Sequence, residues 1–120
     1  MEIHGGAPAG VREAAEATLE AAGVADGHLA IAFVDSDEIR ALNRDHRGKD
    51  APTDVLSFPV DGAGPLTGGP RELGDVVICR EHTSDVNEAV VHGVLHLCGY
   101  DHETDSGEML ELQDRIVESL

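Results

Sequence analysis

The sequence predicts an α+β fold, a single small mixed sheet with helices packed against it. Three observations lead there. Helix-periodic segments alternate with apolar runs of strand length, and Gly, Pro and Asp bound those runs. With 120 residues and 41% hydrophobic content, the chain suits one domain, 1–120, around one core. Two Phe, one Tyr and no Trp require that core to be aliphatic.

In chain order, "MEIH" is a candidate strand. "APAGVREAAEATLEAAGV" predicts a helix from about Pro8 to Ala22: Ala and Glu favour it, Pro8 suits its first turn and Gly23 ends it. "HLAIAFVD" reads as a strand, and "DSDEIRALNRDHR" as a short helix with Asp35 and Glu38 at capping-box spacing. "TDVLSFPV" is a second strand. "DGAGPLTGGP", 61–70, is a flexible Gly/Pro-rich loop inside the domain, and "ELGDVVIC" is the third strand. "SDVNEAVVHGVLHLCG" is a helix with Ser84 or Asp85 near its N-cap and Gly99 just past its end. The last helix, about Ser106 to Glu118, turns Met109, Leu112, Ile116 and Leu120 to the core.

Composition excludes several classes of function. No apolar run approaches the roughly 18 residues of a membrane span, and the start lacks the layout of a signal peptide, so no membrane partner and a cytoplasmic location are expected. Cys79 and Cys98 lie in apolar segments and read as free buried thiols. A net charge of −16 repels nucleic acid at long range. Against that background, Arg40, Arg44, Arg47 and Lys49 place four of the eight basic residues within ten positions.

The chemistry concentrates in "HGVLHLCGYDH", His92 to His102. His92 and His96, four apart on a helix, project from one face. Gly99 can turn the chain so that His102 returns to the same side. Three neutral imidazoles around one divalent ion leave a position open for water, as in a catalytic zinc site. The spacing is that of the metzincin metalloproteases. Those place a Glu general base directly after the first His, where this chain has Gly93.

These residues resemble the signature of the YbeY family of bacterial endoribonucleases. "LNRDHRGKDAPTDVLSFPV" and "ELGDVVIC" are similar to that family's other blocks, in the same order, between Asp35 and Glu103. Two departures stand out. His46 replaces a usual aromatic residue, and "REHTSDVNEAV" is shorter than expected.

The resemblance implies a single-strand-specific, metal-dependent endoribonuclease that acts in 16S ribosomal RNA 3′-end maturation and ribosome quality control. Its partners would be ribosomal RNA and the ribosome or its proteins. It also implies one Zn²⁺ per chain on His92, His96 and His102, and a catalytic role for Arg47. Arg40, Arg44 and Arg47, at spacings of four and three, would line one side of a continued helix and Lys49 extends the patch, with Arg44 and Lys49 as candidate substrate-binding cations. For Arg40 and Arg44, pairing with nearby Asp37, Glu38 or Asp45 is the competing reading.

Asp101 could orient a ligand imidazole or cap a turn. The general base is unassigned, with Asp54 or metal-bound hydroxide as guesses. Two alternatives remain at this level: a zinc-dependent hydrolase of another substrate, and a ribosome assembly factor whose zinc is mainly structural.

Overall fold

Two aspartates start the helices that flank the functional cleft. A computed structural model of the chain describes residues 2–4, 10–24, 28–60, 72–100 and 105–120. Asp35 caps α2, Ser36–Arg47, by accepting the Glu38 backbone N–H at 2.8 Å. Asp85 caps α3, Val86–Leu97, in the same way through Glu88 at 3.2 Å. Each carboxylate satisfies one of the backbone donors that a helix start leaves without a partner. Gly48, at φ 71°, ends α2 in the left-handed conformation.

The sheet holds four strands in the order β1-β2-β4-β3: β1 Glu2–His4, β2 His28–Val34, β3 Val55–Pro59 and β4 Glu72–Cys79. β1, β2 and β4 run parallel, and β3 pairs antiparallel with β4. The predicted mixed sheet is therefore present, and the "MEIH" segment supplies one of its edges. The predicted helix start near Pro8 and the 61–70 loop lie outside the described residues. α1 is described from Val11 to Ala21, after Gly10.

Alternation along the strands splits the core into two layers. On one face α1, α3 and α4 (Glu108–Ser119) cover Leu29, Ile31, Val76 and Ile78. On the other, α2 lays Ile39 over Leu56, Val77 and Cys79. The largest fully buried side chains are Leu, Ile, Met and Val, so the core is aliphatic, as the composition requires. Cys79 is buried, Cys98 is half-buried, and neither is in a disulfide. Among the described residues no helix is long and apolar enough to cross a membrane.

α3 is the central helix, buried along Ala89–Val91 and Gly93–Leu95. Gly93 lets it sit this close to the sheet. A Cβ at that position would lie 2.6 Å from Val76 Cγ1 and 3.2 Å from Val55 Cγ2, both on stiff β-branched side chains. Ser57 Oγ adds a hydrogen bond to the Gly93 carbonyl at 2.9 Å, which ties β3 to the helix. The glycine that stands where a protease keeps its carboxylate is thus a packing requirement of this fold.

Candidate metal centre and cleft

His92 and His96 project from α3 one turn apart, as the spacing predicts. Their rings meet edge to face, with centroids 4.7 Å apart and an interplanar angle of 82°. The two Nε2 atoms face each other at 3.2 Å. On each ring the other nitrogen is held by an oxygen. His96 Nδ1 donates to the Tyr100 carbonyl at 2.9 Å, and His92 Nδ1 to Gln113 Oε1 at 2.8 Å.

Those two hydrogen bonds decide the tautomers. A proton on Nδ1 of a neutral imidazole leaves a lone pair on Nε2. Two lone pairs at this separation repel unless a cation lies between them. Tetrahedral zinc with Zn–N bonds of 2.0–2.1 Å holds its nitrogen ligands about 3.3–3.4 Å apart. The pair therefore fits a divalent metal in spacing, tautomer and orientation.

The backbone around Gly99 builds half of this arrangement. At φ 98° Gly99 occupies a conformation that side-chain-bearing residues rarely adopt, and the Tyr100 N–H returns to the Leu95 carbonyl at 3.1 Å. That closure sets the Tyr100 carbonyl against the His96 ring. The chain then enters 101–104, outside the described residues, where the predicted third ligand His102 and Asp101 lie. Among the described residues no group of three His, Cys, Asp or Glu side chains is close enough to hold a metal ion. The described part of the site is thus the His92–His96 pair.

A cleft of about 790 Å³ opens at these imidazoles. It runs along β3, the sheet's edge. The hydrogen bonds Cys79 N–H to Asp54 O and Val60 N–H to Leu73 O fix the ladder register, so the backbone groups of Val55, Ser57 and Pro59 point away from β4. The end of α2 contributes His46 and Arg47 to the cleft, α3 contributes His92 and His96, and the turn that follows α3 contributes Tyr100.

Of the basic residues singled out in the sequence, Arg47 is in the cleft wall, whereas Arg44 and Lys49 are exposed and not among its lining residues. Arg44 pairs with Asp45 at 3.1 Å. Arg40 reaches past the end of α2 to Asp50 at 2.8 Å. This hydrogen bond and the opposite charge raise the Arg40 pKa and hold the Asp50 carboxyl below its usual value. Asp54 lines a smaller cavity of about 220 Å³ with Asp85, Glu88, Gln113 and His92. Its Oδ1 accepts from the Val55 N–H at 2.9 Å and from Thr53 Oγ1 at 3.2 Å.

Gln113 is the site residue that sequence reasoning missed. It is buried on the core face of α4 between Met109 and Ile116, and a glutamine in an apolar stripe is itself a signal.

Comparison with known proteins settles the family. The model of the family described as Endoribonuclease YbeY matches residues 7–120. The chain belongs to the YbeY family. YbeY-family relatives include the Endoribonuclease YbeY of Persephonella marina, 40% identical over 92% of this chain and 81% of that protein. That of Bacillus cytotoxicus is also 40% identical, over 89% of this chain and 82% of its own. The solution structure of TM1509 from Thermotoga maritima aligns with a TM-score of 0.55 and 30% identity, covering 98% of this chain and 85% of that one. The YbeY match extends beyond the blocks recognised in the sequence to include α1 and α4, and with α4, Gln113.

Proposed function

We propose that the cleft is the active site of a zinc-dependent endoribonuclease that cuts single-stranded RNA. Its substrate is the 3′ end of 16S ribosomal RNA, in maturation and in ribosome quality control. The observation that carries this reading is the pair of Nε2 atoms, 3.2 Å apart, opening into the cleft that contains Arg47.

His92 and His96 would hold the metal, with His102 as third ligand. The bound ion would supply a Lewis acid for a phosphoryl oxygen and lower the pKa of its water to about 7. Arg47 presents a planar fork of donors to the phosphate and to the charge that builds on it during cleavage. Gln113 and the Tyr100 carbonyl keep both rings in the Nδ1–H tautomer, so that Nε2 stays a ligand.

Gly93 argues against a peptidase. A Cβ there would already meet Val76 Cγ1 at 2.6 Å, so the carboxylate base that a metzincin uses has no room at that position unless α3 moves away from the sheet. With a net charge of −16 the chain has no long-range attraction to a polyanion, so its RNA would be presented by the ribosome or its proteins rather than captured from solution.

The test is a panel of single-stranded RNA, duplex RNA and casein, each with and without chelator. The reading expects chelator-sensitive cleavage of single-stranded RNA alone. Chelator-sensitive cleavage of casein with intact RNA would overturn it.

A further inference from the structure

Aromatic side chains are so scarce in this chain that their placement is informative. Of the three Phe and Tyr residues, Phe33 carries the Arg80 guanidinium 4.3 Å from its ring centroid. The other two, Phe58 and Tyr100, both line the cleft, and neither is fully buried. His46 joins them from the end of α2, its ring centroid 4.8 Å from that of Phe58 at 70°. His46 is exposed and Phe58 half-buried, so this pair stands at the rim of the layer under α2. Arg47 is the next residue in the chain and lines the same cleft.

A planar π surface beside a phosphate-binding guanidinium matches the two ends of one nucleotide. The base and phosphate of a nucleotide are separated by a single sugar, and His46 and Arg47 line the same cleft from the last turn of α2. Unstacked bases of single-stranded RNA bind proteins by stacking on Phe, Tyr and His, and any base suffices because every base has a π face. A base held in a duplex is already stacked on both faces and paired along one edge.

Resting on the endoribonuclease reading, we propose that His46 and Phe58 form a nucleobase-stacking subsite. It takes one unpaired base of the RNA whose phosphate lies at Arg47. The subsite makes the enzyme select single strands without reading their sequence.

The experiment uses a single-stranded RNA octamer and a series in which each nucleotide in turn is replaced by an abasic ribose. Cleavage by zinc-replete wild type is compared with His46→Ala and Phe58→Leu, measuring KM and kcat separately. For wild type, one abasic position should raise KM by about five- to a hundredfold. In both variants the penalty at that position should fall to nearly nothing, while Phe58→Trp keeps it.

Variants that retain the wild-type abasic profile overturn the subsite, whatever their overall activity. So does wild-type cleavage that is indifferent to every abasic position. Should Phe58→Leu fail to fold, the exposed His46→Ala carries the comparison alone. Wild type that cleaves none of the oligonucleotides overturns the endoribonuclease reading instead, and the subsite falls with it.

Discussion

Gln113 Oε1 accepts a hydrogen bond from His92 Nδ1 at 2.8 Å, so the last helix of the chain fixes the tautomer of a candidate metal ligand on α3. Removing the acceptor while keeping the volume should loosen the metal and spare the fold. Gln113→Leu is expected to weaken zinc binding about 10- to 100-fold in competition with a chelator. Gln113→Glu, which retains an acceptor, should stay near wild type. Equal losses of zinc affinity for both variants would assign Gln113 a packing role.

Gly93→Ala probes the contact between α3 and the sheet. The added methyl would meet Val76 Cγ1 at 2.6 Å, with Val55 and Ser57 closing the other sides. Overpacking of this kind costs about 1–3 kcal/mol. Urea unfolding of the metal-free protein should report that loss. An unchanged midpoint would mean that the helix can move away from the sheet at no cost.

Arg47→Ala should lower kcat about 100- to 1000-fold if its guanidinium meets developing charge, with zinc content unchanged. Arg44→Ala and Lys49→Ala should have far smaller effects, since neither residue lines the cleft and Arg44 already pairs with Asp45. Comparable losses from all three would place the RNA along the outer side of α2.

Two separate events are expected on acidification. Protons compete with the metal for imidazole nitrogen, so zinc should dissociate as pH falls below about 6. The second event belongs to Asp50, whose folded-state pKa is held below its usual value by its hydrogen bond to Arg40. Its contribution to stability is present above the unfolded value and is lost only as pH falls through the lower, folded one. Both partners are exposed, so Asp50→Asn should change stability very little. Zinc retained stoichiometrically at pH 4 would contradict an all-imidazole centre.

Much of the scaffold was legible because its signals are local. The Asp35–Glu38 spacing marked the start of α2, the four-residue step placed His92 and His96 on one face, and Gly99 marked the turn that follows. What escaped depends on partners distant in sequence. Arg40, Arg44 and Arg47 share one side of α2, yet only the last reaches the cleft. Arg40 bonds Asp50 beyond the helix end, a tertiary pairing that helical periodicity cannot specify. Gly93 read as a missing base, whereas the strand packed against it explains the residue. Gln113 stood out only as a polar interruption of an apolar stripe, and its partner lies 21 positions away.

The most direct test of the central claim is RNA cleavage by protein stripped of metal and then titrated with Zn²⁺. The account predicts that stripped protein leaves single-stranded RNA intact and that activity returns in proportion, reaching a plateau at one zinc per chain. Full cleavage by the stripped protein, or no recovery after zinc is restored, would contradict it.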